Sequence, residues 1–269
     1  MSSTIESPIF DYDNDYDNDN AKVRDCGVAI GGRRGETGGE REMIMANSIL
    51  SEPTRGVLES LHESAKGDRF RFVGLVPSVL YGFATGKGLW DVLTPQAMKE
   101  FYIPISPEQG RFLYLTARAI GARTAVEFGT SFGISTIYLA AAIKDNGGGI
   151  VIGTEIEPSK HDEACANIAR AGLSEYVDVR LGDALETLRE VPEPVDLVLM
   201  DGWKELYMPV LELVKPRLRA GAVVLGDNIF TFRKSLQPYV DYMQCGDNGF
   251  DSTTLHIADG FEYSVFRGV

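Results

Sequence analysis

Asp196-Leu197-Val198-Leu199-Met200-Asp201-Gly202-Trp203-Lys204 is the stretch whose reading decides the fold. An apolar run ends in one carboxylate, followed by a glycine, a large aromatic and a lysine. The run reads as a buried strand, and Asp201 to Lys204 read as the polar mouth where that strand meets a helix. Four capacities sit side by side: a hard-cation ligand, a backbone free to bend, a flat stacking surface and a titratable amine.

Working outward, strand-like runs alternate with helical ones from Arg123 onward. The strand-like runs are 125–128, 150–154, 177–181, 195–200 and 222–225; the helical runs between them are 135–143, 161–171, 184–190 and 207–214. This alternation predicts a parallel, doubly wound α/β sheet with right-handed crossovers and helices on both faces. After a helical run at 236–243, two further strand-like runs, 253–257 and 261–266, flank Ala258-Asp259-Gly260. Asp-Gly is a hairpin signal, so an antiparallel hairpin should close a seven-stranded sheet. Upstream, Ser106 reads as an N-cap and Pro107 as the first helical residue of a helix carrying Phe112, Leu113 and Leu115.

The chain has 269 residues, 44% hydrophobic and 24% charged, an ordinary globular composition with room for a sizeable core. No apolar run reaches the ~18 residues of a membrane span, and the first residues lack the basic start and apolar core of a secretory signal. Cys26, Cys165 and Cys245 are widely spaced, which predicts isolated reduced thiols in a cytoplasmic protein. Net charge is −13; six acids in the first 20 residues account for six of those charges, so the remainder still carries −7. That argues against a broad phosphate-binding surface and against nucleic acid as the main partner. Three regions are expected: a disordered acidic and Gly-rich tail over 1–43, a helical lid over 44–104 and a catalytic α/β domain over 105–269. Phe70, Phe72, Tyr81, Phe83, Trp90 and Tyr102 are candidates for an aromatic pocket in the lid, against the commoner fate of core packing.

Folds of this kind bind ligands at the carboxyl ends of their strands. The first strand-like run leads into Glu127-Phe128-Gly129-Thr130-Ser131-Phe132-Gly133-Ile134-Ser135. Gly129 and Gly133 permit a tight turn and close approach to a ligand, and the helix start offers N–H groups and the Ser135 hydroxyl. The spacing is not the G-x-G-x-x-G of a pyrophosphate loop, which disfavours a dehydrogenase. Glu127 would repel a pyrophosphate but suits an ammonium group, hence an amino acid moiety. The second run ends at Glu155-Ile156-Glu157-Pro158, where Glu155 is the choice for ribose hydroxyls and Glu157 the fallback. The third ends at Asp183-Ala184, where Asp183 either accepts from an adenine amino group or caps the next helix. An amino acid, a ribose and an adenine together describe S-adenosylmethionine (SAM).

The fourth run delivers Asp201 to Lys204 and the fifth delivers Gly226-Asp227-Asn228. Neighbouring strands bring Asp201, Asp227 and Asn228 to one rim. This oxygen-only set suits Mg²⁺ or a similar cation and not zinc. A lysine beside such a cation has a lowered pKa and serves as a base near neutral pH.

These motifs, with Tyr207, resemble the metal-dependent O-methyltransferases, a group that includes catechol O-methyltransferase and the caffeoyl-CoA O-methyltransferases. The resemblance covers roughly residue 105 to the C-terminus. It implies a Rossmann-like sheet, SAM as cofactor, and Mg²⁺ (or Mn²⁺ or Ca²⁺) held by Asp201, Asp227 and Asn228. It implies Lys204 as the base that takes the acceptor hydroxyl proton. On the cofactor side it implies Trp203 against the adenine, Glu127 and Ser135 at the methionine end and Glu155 at the ribose. Gly129, Ser131, Gly133, Asp183, Ala184 and Asp201 complete that set. The implied partner is a small phenolic, catechol-like molecule with vicinal oxygens; a homodimer is an expectation of the resemblance alone. The alternatives are a hydroxylated tRNA nucleoside as acceptor, or a SAM- or nucleotide-binding module without catalysis. In one place the chain departs: catechol enzymes carry a glutamate before the last hairpin, and that position falls at Thr253 or Thr254.

Overall fold

The structure is a computed structural model and describes residues 47–74 and 105–268. The expected tail and most of the expected lid, including residues 75–104, fall outside the described residues, as do the side chains of the six candidate pocket aromatics.

Seven strands form one sheet in the order β3-β2-β1-β4-β5-β7-β6. They are β1 (Thr124–Phe128), β2 (Ile150–Glu155), β3 (Val177–Leu181), β4 (Val195–Met200), β5 (Leu218–Gly226), β6 (Phe250–Leu255) and β7 (Phe261–Phe266). The first five are parallel, and β7 and β6 add the antiparallel hairpin. Every residue of β1 and β4 is buried, so both are mostly apolar instead of alternating, with Thr124, Glu127 and Asp196 as buried polar exceptions. β6 lies at the sheet edge and reads Phe-Asp-Ser-Thr-Thr-Leu, with its buried and exposed positions mixed.

Helices cover both faces. One layer contains α2 (Pro107–Ala119), α3 (Ile134–Asp145) and α4 (Pro158–Arg170). It packs with Ala125, Val151, Leu197, Leu199, Val223 and Leu225. The other contains the short α5 (Ala184–Thr187), α6 (Tyr207–Val214) and α7 (Arg233–Gln244). It meets Val126, Ile152, Val198, Met200 and Val224. Alternate residues of each strand thus feed opposite layers.

The expected start of α2 is realised as a full capping box. The Ser106 hydroxyl accepts from the Gln109 N–H at 3.1 Å, and the Gln109 side-chain oxygen accepts from the Ser106 N–H at 2.8 Å. Ahead of it, α1 (Thr54–Gly74) is tied to the sheet end away from the ligand side. Ser48 donates to Asp145 at the last residue of α3, and Thr54 donates to the Ala171 carbonyl just past α4. His62 then meets the Tyr138 hydroxyl at 3.2 Å, nearer the start of α3. α1 therefore climbs toward the carboxyl ends of the strands, with Leu58 and Leu61 buried on the way.

One expectation is corrected. The fifth strand begins at Leu218 and not at 222, because Leu218 pairs with Val195 before a register shift. Among the cysteines, Cys245 is free and exposed, and Cys26 lies outside the described residues. No helix among the described residues is long and apolar enough to cross a membrane.

Candidate active site

Each strand end supplies a part of the site. At the end of β1, Glu127 is fully buried. Its Oε2 accepts from the hydroxyls of Thr130 (3.1 Å) and Thr136 (2.5 Å), while Oε1 has no hydrogen-bond partner among the described residues. Burial pushes its pKa up, and the Ser135, Thr136 and Thr130 hydroxyls oppose that rise. An orphaned, buried carboxylate oxygen is costly unless a cationic group meets it, which fits an ammonium-bearing ligand.

The turn after β1 is shaped by contact. Gly129 has φ +96°, and a Cβ there would lie 2.6 Å from the Asp201 carbonyl oxygen, so the turn can press against the end of β4 only as glycine. Ser131 also has a positive φ of 49° and donates its N–H to Glu155 Oε2 at 2.7 Å. Glu155 Oε1 accepts from the Glu157 N–H at 2.9 Å. Glu155 is thus buried and clamps two loops, each of its oxygens keeping acceptor capacity. Glu157 occupies the N-cap position of α4. Asp183 is the N-cap of α5, accepting from the Leu185 N–H at 2.8 Å, so the capping reading of this residue is realised; Ala184 is buried beside it. Gly133 is the left-handed N-cap of α3, and Ser135 is buried in its first turn.

β4 and β5 bring the reactive set together. The Asp201 N–H bonds the Phe128 carbonyl at 2.8 Å and the Asp227 N–H bonds the Met200 carbonyl at 3.0 Å, so the ladder continues past the strand ends. Gly202 packs on Phe128, whose ring atoms would stand 2.4 Å from a Cβ. Lys204 Nζ donates to Asn228 Oδ1 at 2.7 Å and to the Tyr207 hydroxyl at 2.9 Å, and lies 3.6 Å from Asp201 Oδ1. Tyr207 spends its own proton on the Met200 carbonyl at 2.6 Å, so it meets the lysine with a lone pair. Asn228, with φ +62°, folds back so that its N–H reaches Asp227 Oδ1 at 2.7 Å. Trp203 is 41% exposed and stands clear of the core.

Charge in this pocket is unbalanced. Burial raises Asp201 to about 6, against the pull of Lys204 and with Glu127 adding to the rise. Burial and then the Asp201 charge hold Asp227 well above the ordinary carboxylate range. Burial pulls Lys204 down from its ordinary value, with Asp201 and Asp227 opposing. The Lys204 ammonium thus faces the buried Asp227 and the partly exposed Asp201. Asp201, Asp227 and Asn228 together offer the oxygen donors that a hard divalent cation takes. No group of three His, Cys, Asp or Glu suited to a metal occurs among the described residues.

Sequence reasoning missed Gln109. Its Nε2 donates to Asp227 Oδ1 at 2.6 Å while its Oε1 serves the capping box. The cap was read from Ser106 and Pro107, while the Ser-x-x-Gln spacing that would have pointed to Gln109 went unread. The missing glutamate before the hairpin is also placed: Thr253 is exposed, and Thr254 turns onto the buried Glu262 of β7, donating at 2.5 Å.

Exposed apolar side chains mark the same rim. Ile156, Leu181, Trp203 and Phe230 each lie at or just past the carboxyl end of a successive strand from β2 to β5.

The chain is similar to known proteins over this region. A family profile described as a methyltransferase domain matches residues 126–229, which span Glu127 to Asn228. Catechol O-methyltransferase of Mycobacterium tuberculosis is 39% identical over 128 residues, 47% of this chain and 57% of that one. Catechol O-methyltransferase of Niastella koreensis is 35% identical over 138 residues, 50% of this chain and 62% of that one. The matched stretch therefore spans less than two thirds of these relatives. An O-methyltransferase from Bacillus cereus, solved in complex with SAH, superposes with a TM-score of 0.60 at 25% identity, covering 81% of this chain and 94% of that one. By its seven-stranded fold and these likenesses, the chain is similar to the class I SAM-dependent O-methyltransferases.

Proposed function

We propose that the chain transfers a methyl group from SAM to a hydroxyl of a small catechol-like acceptor with vicinal oxygens, dependent on a divalent cation. The observation that carries this reading is the buried Lys204, held between Asp201, Asn228 and Tyr207 at the mouth of β4 and β5.

Glu127 offers its orphaned Oε1 to the ammonium of the methionine end, and Ser135 adds a hydroxyl there. Glu155 takes the ribose, with Glu157 one loop away, and Trp203 gives the adenine a flat surface. Gly129, Ser131 and Gly133 shape the turn between them; Asp183 and Ala184 border the adenine side. Asp201, Asp227 and Asn228 would hold Mg²⁺ or a similar cation, whose chemistry is Lewis acidity toward two adjacent acceptor oxygens. Lys204, lowered by burial, accepts the acceptor's hydroxyl proton at Nζ once it is itself deprotonated. The Tyr207 lone pair and the Asn228 oxygen keep that nitrogen oriented. The acidic chain does not favour a tRNA acceptor.

Titration calorimetry with SAM, paired with turnover on catechol, tests this. The unsubstituted chain should bind SAM, and Lys204→Ala should bind it equally while losing about 10²–10⁴-fold in kcat. Absence of SAM binding, or full turnover in Lys204→Ala, would sink the proposal.

A further inference from the structure

Asp227 is held asymmetrically. Its Oδ1 takes two short bonds, from Gln109 Nε2 at 2.6 Å and from the Asn228 N–H at 2.7 Å. Among the described residues, its Oδ2 takes only the Asn228 side-chain amide at 3.3 Å. One oxygen is locked and the other is left to the site.

The lock comes from a distant element. Gln109 is 3% exposed, lies in the first turn of α2 and is separated from Asp227 by 118 residues. Its amide orientation is fixed by chemistry. The Ser106 N–H can only meet an acceptor, so Oε1 faces Ser106 and Nε2 must face Asp227. The helix itself is held in place: a Cβ on Gly110 would stand 2.2 Å from the Tyr138 ring of α3, so α2 and α3 meet without slack. We infer that Gln109 is a positioning residue that couples the cap of α2 to Asp227, fixing Oδ1 so that Oδ2 is the oxygen presented to the divalent cation. This rests on the cation-dependent reading above.

Three variants separate this from a capping role. Ser106→Ala and Gln109→Met each remove capping-box bonds, but only the second frees Asp227 Oδ1. Gln109→Glu keeps the cap and replaces the donor with an acceptor. Mn²⁺ binding to the full chain is measured by calorimetry, beside kcat, the KM for SAM and the melting temperature. Gln109→Met should weaken Mn²⁺ binding by about tenfold or more, the scale for groups that orient a metal ligand. Ser106→Ala should leave Mn²⁺ affinity unchanged while lowering the melting temperature. Gln109→Glu should fold and still lose about tenfold in kcat, with the KM for SAM unchanged. Equal Mn²⁺ affinity in Gln109→Met and Ser106→Ala, or full kcat in Gln109→Glu, overturns the inference and leaves the cation reading standing. No Mn²⁺ binding by the unsubstituted chain removes the cation reading and this inference together.

Discussion

Asp196 and Asp201 bracket the same strand, five positions apart, and are treated in opposite ways. Asp196, at the start of β4, is buried but fully served. Its Oδ2 accepts from the Arg123 and Thr124 N–H groups at 2.7 and 2.8 Å, and Arg219 Nε meets Oδ1 at 2.5 Å. Burial alone would raise its pKa, but Arg219 and the two N–H groups outweigh that and hold it below the ordinary range. Asp201, just past the end of β4, has the Lys204 ammonium at 3.6 Å and the acids Glu127, Asp227 and Asp259 around it, and burial raises it to about 6. One end of the sheet satisfies its buried charge and gains stability. The other leaves charge uncompensated, which costs stability unless a cation or ligand arrives.

The largest expected effect of breaking this contrast is on stability. Asp196→Asn should cost about 1–2 kcal/mol, because it weakens the bonds from the Arg123 and Thr124 N–H groups and from the partly exposed Arg219; turnover per folded molecule should not change. Asp227→Asn should do the reverse at neutral pH. It removes a buried acid held well above its ordinary range, so the melting temperature without added metal should hold or rise while turnover is lost. Thermal melts beside turnover assays read both. A fall in melting temperature for Asp227→Asn as large as that for Asp196→Asn would erase the distinction.

A smaller effect lies in the pH dependence of stability, and its sign differs between the two ends. Asp196 has a depressed folded pKa, so its contribution is present above the unfolded value near 3.8 and is lost as pH falls through the folded one. Asp201 has a raised folded pKa, so its contribution is present below 3.8 and is lost as pH rises through about 6. Asp201→Asn should therefore flatten the metal-free stability curve between 3.8 and about 6, and Asp196→Asn should flatten it on the acid side. Identical curves for the two variants would show that the ends do not differ in this way.

The parts of this molecule that were legible from sequence are those whose cause is local. β3, β4 and β7 begin and end as read, because each is an apolar or alternating run closed by turn residues. Asp201, Lys204, Asp227 and Asn228 were legible because each follows a strand end, where topology alone gathers them. What was missed has a distant cause. β5 starts early because Leu218 finds Val195 and Arg219 finds Asp196. β6 starts at Phe250 and not at 253 because Phe250 pairs with Phe266, and Ser252 and Thr254 bond the buried Glu262. The helix after Asp183 stops at Thr187, whose hydroxyl contacts Thr154 of β2 at 2.7 Å. Gln109 carried a readable cap, but its bond to Asp227 belongs to the tertiary fold.

The central claim is that the unsatisfied end of the sheet is completed by a divalent cation and SAM for methyl transfer to vicinal oxygens. The most direct measurement is release of demethylated cofactor from SAM with catechol as acceptor, before and after EDTA and again after adding Mg²⁺. Release that stops with EDTA and returns with Mg²⁺ is the predicted result. Release unaffected by EDTA would contradict the claim, as would no release from catechol at any Mg²⁺ concentration.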